Sequence, residues 1–228
     1  HTEIDLVTTP AGDLVAMVHC NNCTSELNAW AGLFKEFAAA AGFDIDSGAL
    51  YELLFKKALE GKKDCDGMIA YNYLSGEHVT GFEQGRPLFT RRPDARLGLA
   101  DFMRTQLYTS LGALKTGLDI LTKEECVPID SVTGHGGFFK TEKVGQSILA
   151  AVNAPVTVMS TAGEGGAWGM ALLAAYMSDR SDKTLDKWLS DNVFSSAQTN
   201  VVAPDPDDVN GFDKFMKGYT ECLAVERS

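Results

Sequence analysis

The sequence predicts an α/β fold, and three observations carry that prediction. Short β-branched runs alternate with longer stretches of helical periodicity. Glycine clusters at 134–137 and 163–166 each follow a predicted strand and precede a predicted helix. Apolar residues fill 45% of the 228 positions, enough to bury a sizeable core in one large domain or two small ones.

In chain order, residues 2–9 and 13–20 read as two strands around the turn Pro10-Ala11-Gly12-Asp13. A long helix follows, because Leu27, Trp30, Phe34, Phe37 and Ala41 recur at helical spacing. Thr24 or Ser25 caps its start, Glu26 suits the positive end of its dipole, and Gly42 ends it. A second helix covers about 47–60, with Asp46 as N-cap and Gly61 past its end. Met68-Ile69-Ala70-Tyr71 reads as a buried strand. Residues 75–96, rich in Gly, Pro and Arg, read as a long irregular segment. Within it Glu77 reads as a lone, solvated carboxylate.

The second half is more regular. Leu99, Met103, Leu107, Leu111, Leu114, Leu118 and Leu121 form one apolar stripe on a helix of about 98–121. A strand at 129–133, the turn Gly134-His135-Gly136-Gly137 and a helix of about 142–153 follow. Val156-Thr157-Val158-Met159 is the next strand. Gly163-Glu164-Gly165-Gly166 leads into a helix of small residues, Ala167 to Met177, whose composition predicts close packing on a sheet or helix. Pro204-Asp205-Pro206-Asp207 is a stiff connector to a last helix of about 208–223.

Composition excludes several functions. Lys and Arg number 20 against 31 Asp and Glu, a net charge of −11, which argues against a nucleic-acid surface. No apolar run is long enough for a membrane span, so no membrane partner is expected. Five irregularly spaced cysteines and no secretion signal predict reduced thiols in a cytoplasm. Cys20 and Cys23 form a lone C-x-x-C without a second ligand pair, and no histidine pair has ligand spacing, so no metal site is expected.

The turn at 134–137 matches neither the Walker A pattern nor G-x-G-x-x-G. Its glycines allow positive φ and close approach of backbone to a ligand, so a plain tight turn and a nucleotide contact both stay open. At 163–166, Glu164 would repel a phosphate, which favours the packing reading there.

The order of motifs resembles the C-terminal half of the FGGY carbohydrate kinases, above all the pentulose kinases of the xylulokinase and ribulokinase type. Tyr73-Leu74-Ser75-Gly76-Glu77-His78 is similar to that family's Y-L-S-G-E-R segment. Gly136-Gly137, Gln146 and Asn153-Ala154-Pro155-Val156 resemble its Gly-Gly turn, helix and following strand. Glu164 to Ala171 resembles its E-x-x-A-x-G-A-A helix start, and Pro204-Asp205-Pro206 its tail. His78 and Tyr108 stand where the family often has Arg and Glu, and Gly85-Arg86-Pro87-Leu88-Phe89 fits its R-G-x-x-x-G-L poorly.

The resemblance implies a ribonuclease-H-like, actin-type domain with a mixed sheet flanked by helices. It implies that Gly136 and Gly137 hold adenosine with help from Thr141, and that Asn22, Thr24 and Ser25 border the adenine pocket. ATP and Mg²⁺ are the implied cofactors and a sugar the implied substrate. The implied partner is an N-terminal domain that carries the catalytic aspartate and phosphate loop, so the chain alone is expected to be inactive. A homodimer is compatible with the uncovered interdomain face. The alternative is an actin-like nucleotide-binding or regulatory domain without transfer chemistry.

Overall fold

The structure is a computed structural model that describes residues 1–159, 165–179, 182–196 and 199–227. Strand β1 (Asp5–Thr8) pairs antiparallel with β2 (Leu14–Met17), Asp5 opposite Met17. Both are shorter than the sequence predicts, and the hairpin stands clear of the core, with Leu6 and Leu14 exposed.

Helix α1 (Ser25–Ala40) buries Leu27 and Ala31, and half-buries Trp30 and Phe34; Phe37 of the predicted stripe faces solvent. Thr24 occupies the cap position, but its side chain makes no capping bond. In α2 (Ser47–Ala58) the cap is as predicted. Asp46 accepts from the amides of Gly48 at 2.8 Å and Ala49 at 3.2 Å, satisfying two orphan donors of the first turn. The Gly-, Pro- and Arg-rich segment is less irregular than expected. It contains β4 (Leu88–Thr90), which pairs antiparallel with the buried β3 (Ile69–Tyr71).

Helix α3 (Leu99–Asp119) is the axis of the core. Met103, Leu107 and Leu111 are buried as the stripe predicts, whereas Leu99 is exposed. The helix is also buried on its polar faces, because Arg104, Thr105, Gln106, Thr109, Ser110 and Lys115 are covered by neighbouring elements. It ends in a π-helical turn, Ile120–Glu124.

The remaining strands make a small mixed sheet in the order β5 (Val132–Gly134), β6 (Val156–Met159), β7 (Thr199–Val202). Strands β5 and β6 run parallel, and β7 is antiparallel to β6. Helix α4 (Val144–Ala150) connects the parallel pair, and its Gln146 side chain donates to Val156 O at 3.2 Å and Asn200 O at 2.8 Å. One buried amide thus pins the helix to two strands. Strand β7 and helix α6 (Leu185–Asn192) have no counterpart in the sequence reading. Helix α5 (Gly165–Asp179) forms, but the close packing predicted from its small residues does not: none of its residues is buried. Gly163 and Glu164 lie outside the described residues.

Helix α7 (Pro206–Glu226) starts on an Asp205 cap with Pro at its first position. It lays Phe212, Phe215, Met216 and Tyr219 into the core. The Tyr219 hydroxyl lies 2.6 Å from that of Tyr73, which in turn lies 2.8 Å from Thr80 Oγ1. These three hydroxyls satisfy one another in a site that water does not reach.

Candidate functional site

The turn between β5 and α4 lies at the carboxyl end of the parallel pair, where α/β sheets present ligands. Gly136 sits at φ 104° and ψ −179°, a conformation that side chains disfavour strongly. A Cβ at Gly136 or at Gly137 would meet nothing within 4 Å. Both backbones therefore face open space. The positive φ belongs to Gly136 alone; Gly137 opens a short 3₁₀ turn, Gly137–Phe139.

Across from this turn is the first residue of α5. A Cβ on Gly165 would come 3.1 Å from His135 Nδ1, so the imidazole rests against the helix start. His135, Gly165, Trp168, Leu172, Leu189 and Phe194 are among the walls of a cleft of about 490 Å³. Its lining is predominantly apolar. The Trp168 and Phe194 rings stand at 64° with centroids 6.3 Å apart. Such a slot accepts a flat, weakly polar group.

The other predicted residues are placed elsewhere. Thr141 is half-buried three positions before α4, and its carbonyl accepts from Val144 N at 3.3 Å. Of the turn only His135 lines the cleft; Gly136, Gly137, Thr141, Asn22, Thr24 and Ser25 do not. The Asn22 side chain is fully engaged: Oδ1 accepts from Leu74 N at 2.9 Å and Ser75 N at 3.1 Å, and Nδ2 donates to Ser75 O and Gly76 O, each at 3.2 Å. It builds the domain and has no group left for a ligand.

Glu77 corrects a second expectation, for its carboxylate is fully buried rather than solvated. It accepts from Asn21 N at 3.3 Å, Asn22 N at 3.1 Å and Asn22 Nδ2 at 3.2 Å. Arg104 was not singled out by the sequence at all. It is fully buried, donating from Nε to Ala58 O, from Nη2 to Leu59 O, and from Nη1 to Tyr108 Oη and Asp208 Oδ1, at 2.8–3.0 Å. Burial disfavours its charge, but Tyr108 and Asp208 outweigh that and raise its pKa.

The thiols are unpaired. Burial pushes Cys65 up to about 12, and burial aided by Cys23 and Glu77 does the same to Cys20. Cys126 is exposed. A thiol with a pKa near 12 is thiolate to only roughly one part in 10⁴ at pH 8. Iodoacetamide at that pH should therefore modify Cys126 first and Cys65 only after unfolding, as peptide mass spectrometry would show. Prompt labelling of Cys65 in the folded chain would contradict its burial. Among the described residues no three His, Cys, Asp or Glu side chains converge on a metal position. No described helix is long and apolar enough to cross a membrane.

The model of the FGGY family of carbohydrate kinases, C-terminal domain, matches residues 1–178. The chain is similar to the solved xylulose kinase of Rhodospirillum rubrum, with 20% identity and a TM-score of 0.69 over 99% of this chain and 42% of that one. The ligand-bound xylulose kinase of Lactobacillus acidophilus gives 17% and 0.69 over 99% and 42%. The gluconate kinase of Lactobacillus acidophilus gives 20% and 0.63 over 86% and 38%. At such identities the likeness is one of fold, and the chain spans less than half of each of these proteins. No curated protein matches the chain. By the family model that covers most of its length, the chain belongs to the FGGY family of carbohydrate kinases, as the C-terminal domain.

Proposed function

We propose that this chain is the nucleotide-side domain, ribonuclease-H-like in fold, of an ATP-dependent sugar kinase. The parent reaction moves the γ-phosphoryl group of ATP to a hydroxyl of a ketopentose such as xylulose or ribulose. The observation that carries this reading is the apolar cleft that joins His135, of the glycine turn, to Gly165 at the start of α5. The apolar walls suit a flat base, and next to His135 in sequence the Gly136 and Gly137 backbones face open space. The pentulose assignment rests on the similarity to xylulose kinases.

Phosphoryl transfer is largely a matter of positioning and charge stabilisation. This domain supplies the adenosine wall, and the catalytic aspartate and sugar pocket belong to an N-terminal domain in the cytoplasmic enzyme. Mg²⁺ arrives with the phosphates, and no residue of this chain is assigned to hold it. The exposed apolar side chains of α5, Met170 and Met177 among them, suit a face covered by that domain or by a second copy. The non-catalytic alternative draws on the altered positions Tyr108 and His78; His78 is exposed, its Nε2 2.7 Å from Thr2 O, and neither residue lines the cleft. Tyr108 is fully buried and bonded to Arg104, away from the cleft.

Replacing Gly137 by Val tests the reading. Its φ is not positive and a Cβ there meets nothing, so the domain should melt as before. In the whole enzyme the KM for ATP should rise about tenfold, equivalent to about 1.4 kcal/mol, while that for the sugar stays. The chain alone should bind a non-hydrolysable ATP analogue without turning over any pentulose. An unchanged ATP constant with a lowered melting temperature would make this an ordinary turn.

A further inference from the structure

Helices α1 and α3 meet β3 and β4 around a second hollow, and none of its lining residues lines the glycine-turn cleft. Its outer part is a groove of about 400 Å³ walled by Trp30, Phe34, Phe89 and Phe102. Its inner part is a cavity of about 50 Å³ that shares Trp30 and Phe89 and adds Glu26 and Gln106. Trp30 meets Phe102 edge to face, and Phe89 meets Phe102 at a tilt of 58°. The Trp30 and Phe102 centroids are 4.8 Å apart, those of Phe89 and Phe102 5.3 Å.

Gln106 is 3% exposed and its Nε2 has no hydrogen-bond partner. A buried donor without an acceptor is a standing cost, which a ligand acceptor would relieve. Glu26 lies in the same inner cavity. Burial raises its pKa, opposed by a hydrogen bond with the Trp30 side chain. A donor and a carboxyl in one small chamber match a hydroxyl group, which accepts from one and donates to the other. The chamber takes a hydroxyl or a few waters and is too small for a ring. The groove outside has room for the ring, and its aromatic faces suit a C–H surface. No Lys, Arg or His lines either part among the described residues, so a phosphate or carboxylate ligand finds no cation here. An apolar side chain from a partner would fill the groove and leave Gln106 unpaired.

We propose that this hollow binds a neutral sugar, its ring stacked between Trp30 and Phe89 and one hydroxyl bridging Gln106 Nε2 and Glu26. The ligand sits between α1, α3 and β4, and binding needs no nucleotide.

The test is a titration of the ¹⁵N-labelled chain with D-xylose, followed by NMR without nucleotide, so that its result is independent of the glycine-turn cleft. The Gln106 side-chain amide and the Trp30 indole should shift together and saturate in the millimolar range. Gln106→Met, which keeps shape and loses the amide, should weaken binding about tenfold at an unchanged melting temperature. Glu26→Ala, a variant in the first turn of a helix, should do the same if Gln106→Met unfolds. Three results overturn the proposal: no saturable shift with D-xylose, shifts that persist unchanged in the variants, or saturation by toluene but not by the sugar. The first would leave the chamber holding an ordered water only.

Discussion

Arg104→Ala should cost roughly 3–5 kcal/mol, the typical effect of removing one partner from a buried ion pair. The side chain joins three helices. It takes the carbonyls of Ala58 and Leu59 at the end of α2, the Tyr108 hydroxyl on its own helix and the Asp208 carboxylate on α7. The two carbonyls lie at the end of α2, where Ala58 O also accepts from Gly61 N at 3.1 Å and Leu59 O takes the guanidinium. Removing the guanidinium takes the donor from Leu59 O and from the Tyr108 hydroxyl and opens a cavity. Lys63 Nζ, 2.8 Å from Asp208 Oδ1, keeps that carboxylate from being wholly uncompensated. Urea unfolding would measure the loss. Arg104→Lys should fall between, since it keeps the charge and loses the fork that reaches several acceptors at once. Pairing Arg104→Met with Asp208→Asn should cost less than the sum of the two changes by about 1 kcal/mol or more. A loss below about 1 kcal/mol for Arg104→Ala would mean that the three helices do not depend on it.

The elements legible in the sequence are those whose signal is local. Asp46 caps α2 through amides two and three residues on, and the 98–121 stripe predicts a helix because its period lies within it. Strands β4 and β7 escaped notice for the same reason. Leu88–Thr90 and Thr199–Val202 are too short to show an alternation, and they are strands only because β3 and β6 offer an edge. Helix α6 did carry a signal, Leu185, Trp188 and Leu189 at helical spacing, which could have been read. Nothing near Arg104 or Glu77 shows that either is buried. Their main partners are Asp208 and Asn22, 104 and 55 positions away in sequence. The glycine turn was legible as a turn, whereas its opposing wall of Trp168, Leu172 and Phe194 exists only once α5 and α6 fold beside it.

Glu77→Gln should loosen the start of α1 and at the same time make two cysteines more reactive. The carboxylate clasps residues 21–22 from within the 72–77 segment, accepting two backbone amides and the Asn22 amide. Asn22 returns the grip through the amides of Leu74 and Ser75, and Asn72 Nδ2 adds bonds to Asn22 O at 2.8 Å and Cys23 O at 2.7 Å. Each amide facing the carboxylate is a charge-assisted bond in a site closed to water. Gln keeps the volume but replaces one oxygen by a donor, which cannot face these amides. The expected loss is about 2–3 kcal/mol, and Glu77→Ala should lose at least as much by adding a cavity. The second effect separates electrostatics from packing. Cys20 and Cys23 are held above the ordinary thiol range first by burial and then in part by the negative charge of Glu77. Removing that charge lowers both pKa values, so more thiolate is present at a given pH and alkylation speeds up. At low denaturant, where Glu77→Gln is still folded, iodoacetamide should label Cys20 and Cys23 faster than in the parent, while Cys65 stays protected. A variant that keeps its stability would show the clasp to be dispensable. Faster labelling of Cys65 together with the other two would report general unfolding and not the lost charge.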